Sequence, residues 1–558
     1  MAANAAIYFH DEGFRTDQPK LMGRHAAGEG FLKGFLTHAA VDEFIAYVDS
    51  AAQAQAFTAF CTAQGGRAAS LPRHIAGPGR EAPLLRAGTL MLPGPGLAEQ
   101  AWRRRRGDPR RWAITGVTHT TASARAMDSI GELLTGPVEP WDALICTSRA
   151  VLSTVERLLA AWAAWLAQRL AAQRFQHPLL PVIPLGVDCA ALDPPPAERA
   201  ARRRHWRERL GIAPDDPVAL FMGRLSWHAK AHPLPMYLGL EQAARRLGRA
   251  GRVHLIEAGW HANDWIRDGF REAQQALAPG VRCHTLDGRD PVVRAEIWHA
   301  ADLFVSLSDN IQETFGLTPV EAMAAGLPVV ASDWDGYRDT LVDGETALLV
   351  PTTLPPPESG LIFAERHEDG RDSYDHYCAQ TSLVSAVDVA AAGEALTALL
   401  GDPGRRAAMG AAGRARARNL YDWAVIVRHY QELWGEQAAI RAAAAPVAPA
   451  APAHPLRDSP FLLFGHYATR SLGPTTRLRA VMAPAQDAGE LGRLRMVRLD
   501  GRAPNPSPLT SQLLDRLRAA GPRGLSLAEL TAETPQGAGQ RVPLAVGWLL
   551  KLGLVECA

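Results

Sequence analysis

Two glutamates stand eight positions apart in residues 306–351, the part of the chain with the most evident chemistry. Glu313 lies just ahead of a predicted two-turn helix, and Glu321 lies within it. Local rules predict Thr318 as the N-cap and Pro319 as the first helical residue, with Glu321 completing a capping box. These rules leave Glu313 unexplained.

The residues that follow Glu313 predict an anion-binding site next to its carboxylate. Thr314, Phe315, Gly316 and Leu317 lie just ahead of the predicted helix, and their free backbone amides would point out of its N-terminus. Free amides at the positive end of a helix dipole bind anions such as a diphosphate. The segment therefore predicts a diphosphate site with a carboxylate beside it.

A second polar patch follows the predicted strand Val218–Met222. Gly223 ends that strand, and Arg224 and Lys230 come soon after it. Two cations at the carboxyl edge of a parallel sheet can converge on a pair of phosphates.

The longer segment resembles the signature of retaining glycosyltransferase family 4, in the form E-x-F-G-x-x-x-x-E-A-M-A-x-G-x-P-V-V-A-S-D. The resemblance, which covers about residues 1–436, implies that Glu313 contacts the hydroxyls of the donor sugar and that Glu321 holds the ribose hydroxyls. Carboxylates suit both roles because they accept paired hydrogen bonds from vicinal diols. Arg224 and Lys230 match the family's diphosphate clamp.

The same resemblance extends to the first half of the chain. Gly28 and Gly30 fall in a segment similar to the family's glycine-rich loop near the donor phosphates, and His119 matches its cleft histidine near the reacting sugar. Ser148 matches an acceptor-side loop, and residues 183–188 match the crossing between domains. An ordinary flexible turn and a structural histidine remain alternatives for Gly28, Gly30 and His119.

Two features depart from the family pattern. Asp335 and Gly336 stand where many members carry Gly-Gly, and Asp339 stands near a usual Glu. Residues 352–390 form an acidic and aromatic insertion that can border the cleft or mediate a contact, and the sequence does not distinguish these roles.

The resemblance implies a nucleotide diphosphate sugar as donor, retention of the anomeric configuration and no metal cofactor. Arg224 and Lys230 would neutralise the departing diphosphate, the task that a metal performs in other glycosyltransferases. No Asp-x-Asp motif ends a predicted strand, and no cysteine or histidine cluster has zinc-site spacing. The acceptor is left open as a carbohydrate, a lipid-linked group or a small molecule.

Alternation of short apolar runs with Ala-, Leu- and Arg-rich helical stretches predicts an α/β fold with parallel sheets. We expect two Rossmann-like domains facing a cleft, the GT-B arrangement, plus a small, mainly helical, winged-helix-like domain. The predicted strands are Ala5–His10, Trp112–Thr118, Ala143–Thr147, Leu180–Pro184, Val218–Met222, Val253–Ala258, Val281–Leu286, Leu303–Ser306, Pro328–Ser332 and Ala347–Val350.

The predicted boundaries follow composition. Residues 1–188 form the acceptor-side domain and residues 189–436 form the donor-binding domain with closing helices. Residues 437–458 form an Ala/Pro linker, because residues 441–455 are almost only Ala and Pro. In the third unit, residues 459–558, helices are predicted at Ser511–Ala519 and Val542–Leu552, and a Ser-x-x-Glu capping box opens the helix Ser526–Glu533.

Bulk composition excludes several classes of protein. The chain has 558 residues and a formal net charge of +1, so nothing marks it as a polyanion binder. Six scattered cysteines and an N-terminus without a signal-peptide pattern favour a cytoplasmic protein. The arginine-rich run Trp102–Trp112 leaves a peripheral contact with anionic lipid open, against a simple solvated loop.

Two other functions use the same features. A sugar-nucleotide epimerase or a sugar-phosphate synthase would consume the same donor on the same fold. Alternatively, the chain is a binding protein that senses a sugar nucleotide and contacts a partner through its C-terminal unit. For that unit we expect a protein partner rather than nucleic acid, because the helix Val542–Leu552 carries no stripe of Lys or Arg.

Overall fold

The computed structural model describes residues 3–14, 23–449, 454–482, 488–491, 494–497, 507–532, 534 and 539–558. The chain divides into two compact units, Met1–His454 and Pro455–Ala558. The first unit contains two Rossmann-like α/β domains, which confirms the predicted fold class.

The first domain is built on a parallel sheet with the strand order β3-β2-β1-β4-β5-β6. Apolar side chains on both faces of this sheet are buried under helices, as is usual for parallel sheets. The strands are Ala6–Tyr8 (β1), Phe44–Tyr47 (β2), Arg73–Ala76 (β3), Thr89–Met91 (β4), Ala113–Val117 (β5) and Ala143–Ile145 (β6).

Among the described residues of the first domain, eight helices lie between or after the strands of this sheet, with a 3₁₀ turn at Pro109–Arg111. They are Asp11–Phe14 (α1), Gly23–His38 (α2), Ala51–Gln64 (α3), Gly66–Ser70 (α4), Ala82–Ala87 (α5), Leu97–Arg104 (α6), Ala124–Thr135 (α7) and Arg149–Leu170 (α8). In the described part of the chain, α8 alone is long and apolar enough to cross a bilayer by length and composition. Four of its side chains are buried in the first domain.

The second domain repeats the design with the strand order β12-β11-β10-β7-β8-β9, again all parallel. All six predicted strands of this domain are confirmed within one residue at each end. They are Val218–Met222 (β7), Val253–Gly259 (β8), Val281–Asp287 (β9), Leu303–Ser306 (β10), Val329–Ser332 (β11) and Ala347–Val350 (β12).

Seven helices are described in this domain before the end of β12, and a 3₁₀ turn at Ile297–Ala300 lies just before β10. They are Cys189–Leu192 (α9), Pro196–Leu210 (α10), Leu234–Arg246 (α11), Asp264–Leu277 (α12), Pro291–Glu296 (α13), Leu317–Ala324 (α14) and Tyr337–Thr340 (α15).

The acidic and aromatic insertion is a helical hairpin on a short ribbon. Its base is an antiparallel pair of two-residue strands, Thr352–Thr353 (β13) and Ala386–Val387 (β14). Between them lie a 3₁₀ turn at Pro357–Gly360 and the helices Leu361–Glu368 (α16) and Tyr374–Leu383 (α17).

Three long helices close the unit: Val389–Gly401 (α18), Pro403–Leu420 (α19) and Trp423–Ala443 (α20). Two predicted boundaries are corrected by α20. Residues 437–443 are helical rather than linker, and the buried side chain of Gln437 hydrogen-bonds Thr115 of β5 at 2.8 Å. The aromatic face of α20 packs in the core of the first domain, not the second. Of the predicted linker, residues 450–453 lie outside the described residues.

Two further predictions for the first domain are wrong. Leu180–Pro184 forms only isolated bridges beside β6, not a strand of the sheet. The predicted glycine-rich loop, Gly23–Gly30, is the start of helix α2. Glycine is required there by packing, because a Cβ at Gly28 would lie 2.0 Å from the carbonyl oxygen of Gly13 and one at Gly30 would lie 3.1 Å from the ring of Trp423.

The second unit contains a three-stranded antiparallel sheet of order β16-β15-β17. The predicted helices and the capping box are confirmed: Ser526 and Glu529 exchange hydrogen bonds at 2.7–3.2 Å, whereas Glu533 lies outside the described residues. The winged-helix fold of the second unit stays a prediction. The elements are Pro460–Leu463 (α21), Arg477–Ala480 (β15), Ala488–Leu491 (α22), Ser507–Ala520 (α23), Leu525–Ser526 (β16), Leu527–Ala532 (α24), Val542–Lys551 (α25) and Val555–Cys557 (β17), with 3₁₀ turns at Gly465–Tyr467, Arg495–Val497, Gly521–Arg523 and Gly539–Arg541.

Candidate functional site

Lys230 and Glu313 meet at the carboxyl edge of the second sheet. The Lys230 ammonium donates to Oε2 of Glu313, while Oε1 accepts from the backbone amides of Thr314 at 3.3 Å and Gly316 at 3.2 Å. Burial raises the pKa of Glu313, but the charge and hydrogen bond of Lys230, together with the backbone amides, outweigh it and lower the pKa overall. Glu313 is therefore a carboxylate at neutral pH.

Arg224 lies at the same edge of the sheet, where Gln312 holds its guanidinium by a hydrogen bond. Its Nη2 donates to the carbonyl of Ala229 at 2.7 Å and to Oε1 of Gln312 at 2.8 Å. Gly223, between β7 and Arg224, has a φ of +153°, and an added Cβ would lie 3.5 Å from Cε of Lys230. The structure thus brings together the two predicted cations and Glu313.

The turn after Glu313 admits only glycine at position 316. Gly316 has a φ of +87°, and an added Cβ would lie 2.2 Å from the ring of Tyr337. The hydroxyl of Tyr337 in turn pairs with Ser306 Oγ of β10 at 2.8 Å. Phe315 is buried and packs edge-on against Tyr421. Close packing therefore fixes where the amides of α14 point.

The capping interpretation of Glu321 is wrong. Helix α14 begins at Leu317 with Gly316 as its N-cap, and that cap makes no side-chain hydrogen bond. The Thr318 hydroxyl is buried without a hydrogen-bond partner. Burial raises the pKa of Glu321 to about 7, while the charges of Arg294 and Lys230 act in the opposite direction. Glu321 is thus a half-ionised carboxyl near neutrality, free for another use.

The first domain contacts this turn directly. The Thr314 hydroxyl donates to the backbone carbonyl of His119 at 3.2 Å, and Ser148 Oγ donates to the Thr314 carbonyl at 2.8 Å. Arg149 pairs with Asp339 at 2.7 Å across the same contact. His119 also lines an apolar recess of the first domain, together with Phe31, Met91, Leu92, Val117 and Leu185.

Gly28 lines that recess too, but neither it nor Gly30 lies among the cations at the sheet edge. Both are helix α2 residues that pack on neighbouring backbone and side chains. The recess makes Gly28 a neighbour of His119 in the first domain.

Three side chains at the site were missed or left without a role by the sequence reasoning. Gln312 orients Arg224, Tyr337 packs on Gly316, and Asp335 has a φ of +46° and a buried Oδ2 without a hydrogen-bond partner. Burial and the nearby charge of Glu313 raise the pKa of Asp335. The departure from Gly-Gly at residues 335–336 was the one available signal, because a left-handed residue other than glycine is uncommon.

The arginine-rich run is largely structural. Arg104 is fully buried and forms a bidentate pair with Asp142 at 2.6 and 2.7 Å. Arg103 pairs with Asp49 and Glu99, and Arg110 and Arg111 pair with other carboxylates. These four arginines are therefore ion-paired rather than simply solvated, and contact of the run with anionic lipid stays a prediction.

Comparison with known proteins matches part of this chain to a described family model. Residues 202–356 match the family model glycosyl transferases group 1. That span holds Arg224, Lys230, Glu313 and Glu321, so all four residues lie in the part of the chain that matches the model. Among the described residues, no group of three or more His, Cys, Asp or Glu side chains is arranged to hold a metal ion.

Relatives and solved structures resemble the chain in part. It is 30% identical over 241 residues to a D-inositol 3-phosphate glycosyltransferase of Nocardia farcinica, covering 43% of this chain and 51% of the relative. It is 32% identical over 231 residues to a phosphatidyl-myo-inositol mannosyltransferase of Mycobacterium tuberculosis, covering 41% and 50%. A sucrose-phosphate synthase structure from Thermosynechococcus elongatus is 17% identical with a TM-score of 0.47, covering 79% and 100%. The chain spans about half the length of the curated relatives it matches.

Proposed function

We propose that this chain is a retaining, metal-independent glycosyltransferase that moves a sugar from a nucleotide diphosphate sugar to an acceptor. The observation that carries the proposal is the convergence of Arg224, Lys230 and the Glu313 carboxylate at the carboxyl edge of the group 1 domain. Ligands bind at this edge in open α/β sheets.

The donor would lie with its diphosphate against Arg224, Lys230 and the start of α14. Lys230 would turn part of its hydrogen bonding from Glu313 to a phosphate oxygen, and Glu313 would then accept from hydroxyls of the donor sugar. Glu321 would accept from the ribose diol. Fixed positive charge at the leaving diphosphate stabilises the charge that develops as the glycosidic bond breaks.

The first domain would supply the acceptor side. His119 follows β5 and its carbonyl is bonded to the turn after Glu313, so an acceptor beside this histidine would be close to the donor sugar. In a retaining reaction without a protein nucleophile, the departing diphosphate takes the acceptor proton on the same face. The protein then contributes orientation, charge stabilisation and exclusion of water.

The names of the relatives suggest an acceptor class to test first. Inositol phosphates, free or in a lipid, combine a polyol with an anion, and the apolar recess beside His119 is suited to an apolar part of such an acceptor. We also propose a cytoplasmic location, where the chain's six free thiols stay reduced.

The test is release of nucleoside diphosphate from UDP, GDP, ADP and TDP sugars in the presence of EDTA, with and without inositol phosphate. We expect one donor to be used, acceptor to accelerate release, and Glu313→Ala to abolish it. The anomeric proton coupling of the first-formed product, read by NMR, reports retention. Release that requires added divalent metal, or an inverted product, contradicts the proposal. Interconversion of two donors without release would favour an epimerase.

A further inference from the structure

The helical hairpin of residues 354–385 reaches the donor edge at both ends of α17. At the first end, the hydroxyl of Tyr374 lies 3.0 Å from Nε2 of Gln312 and 3.5 Å from Oγ1 of Thr120. At the other end, Ser382 Oγ donates to Asp309 Oδ1 at 2.9 Å, and the same oxygen accepts from the backbone of His232 at 3.2 Å. The insertion is thus seated on the loop after β10 that carries Glu313, and Asp309 of that loop is bonded in turn to the segment after Lys230.

Hydrogen-bond chemistry fixes the direction of this network. Arginine can only donate, so the Gln312 atom facing Arg224 must be its carbonyl oxygen. The amide nitrogen of Gln312 therefore donates to Tyr374, whose oxygen accepts. The phenol proton of Tyr374 is left to donate to Thr120 of the first domain, to the sulfur of Cys378 one turn further along α17, or to a ligand oxygen in the cleft.

Charge on the insertion acts on the same cation. Burial lowers the pKa of Arg224, and the charge of Asp375, next to Tyr374 in α17, raises it again. Asp375 acts in the same direction on the half-buried His228. A partly desolvated guanidinium without fixed partners would be poorly placed for a phosphate. Gln312 and the Ala229 carbonyl are those partners, and Tyr374 of the insertion holds Gln312.

We propose that Tyr374 is a positioning residue for the donor diphosphate: it holds Gln312, and through it Arg224, and links this clamp to Thr120 of the first domain. The inference rests on the proposed function and deepens it, since it gives the insertion a role in donor recognition. A chain of bonds from Thr120 to Arg224 makes the clamp complete only when the two domains are together.

The test is calorimetric titration of the full-length protein with UDP, GDP and ADP. Tyr374→Phe removes the acceptor of Gln312 and the proton offered to Thr120, and we expect about tenfold weaker binding of the preferred nucleoside diphosphate. Tyr377→Phe is the matched control on the next turn of α17, because its ring stacks on His367 with centroids 4.9 Å apart. We expect it to bind like wild type. Thr120→Val tests the other end of the chain and is expected to weaken binding about threefold.

The route through Arg224 is tested by a double-mutant cycle. In an Arg224→Met background, Tyr374→Phe is expected to have no further effect on affinity, because the residue it positions is absent. Additive losses, or wild-type affinity in both Tyr374→Phe and Thr120→Val, overturn the inference while leaving the proposed function intact. A wild-type protein that binds none of the three nucleotides overturns both, which separates the two failures.

Discussion

Removal of the Lys230 ammonium should reveal how far the donor site is held together by one ion pair. In Lys230→Met the Glu313 carboxylate keeps its two backbone amides but loses its cation in a buried position. Removing one partner of a fully buried pair costs about 3–5 kcal/mol. The Lys230 side chain is 24% exposed and that of Glu313 is 11% exposed, so we expect about 2–3 kcal/mol.

The cost should depend on pH in a defined direction. Without Lys230, burial, the largest influence on the pKa of Glu313, is opposed only by the backbone amides. The pKa therefore rises, and protonation at pH 5 relieves the uncompensated charge. Urea unfolding followed by tryptophan fluorescence at pH 7.5 and pH 5, with m-values compared, measures the deficit. The double variant Lys230→Met/Glu313→Gln should recover most of the stability at both pH values but no donor turnover. A deficit below about 0.5 kcal/mol that does not change with pH refutes the reasoning.

The remaining predictions concern three other groups. In the proposed function, ionised Glu321 accepts hydrogen bonds from the ribose. Burial raises the pKa of Glu321 in the free protein to about 7, so nucleotide affinity should rise as pH increases from 6 to 8, and Glu321→Gln should bind weakly with no such rise in calorimetry. Burial raises the pKa of Glu257 to about 7, and the stability this proton supplies is present below the unfolded pKa and lost as pH rises through 7. The free energy of unfolding of Glu257→Gln relative to wild type, measured in urea, should therefore rise by on the order of 3 kcal/mol between pH 5 and pH 8. A difference that stays constant with pH would contradict this. Gly316→Ala should lower the melting temperature and abolish turnover, because its Cβ meets Tyr337, whereas Gly344→Ala, with a φ of +75° and open space, should be active; equal activities would exclude the steric argument.

Sequence periodicity was sufficient for the second sheet and not for the first. Val218–Met222 and Leu303–Ser306 are apolar runs buried on both faces, which a pattern of residue types reveals. In the first sheet, Arg73–Ala76 contains Arg and His, and Thr89–Met91 has only three residues. These strands owe their conformation to their neighbours in the sheet, so local pattern gave no signal for them.

Long-range packing explains the error in the glycine-rich segment. Glycine disfavours a helix, and several glycines within one short segment predict a loop. Helix α2 nevertheless forms because it packs against residues far away in the chain, including Trp423, which leaves no room for a Cβ at Gly34. That partner lies almost 400 residues later, where a local reading of the sequence cannot weigh it.

Some residues of the candidate site were predictable from local sequence motifs, and others were not. Glu313 and Lys230 stand in recognisable local motifs, so their meeting at one sheet edge was predictable from topology. Gln312 and Tyr374 were not, because their contact joins a motif to an insertion 62 residues away. A glutamine beside a glutamate in a loop gives no signal until its partners are known.

The central claim is that Arg224 and Lys230 form a site for the diphosphate of a sugar nucleotide. The most direct measurement is calorimetric comparison of a nucleoside diphosphate with its monophosphate, in EDTA, for wild type and for Arg224→Met/Lys230→Met. We expect wild type to bind the diphosphate at least tenfold more tightly and the double variant to lose this preference, because two charge-assisted hydrogen-bonding groups are removed. Equal affinities for the two nucleotides in wild type, or a preference that survives in the variant, would contradict the claim.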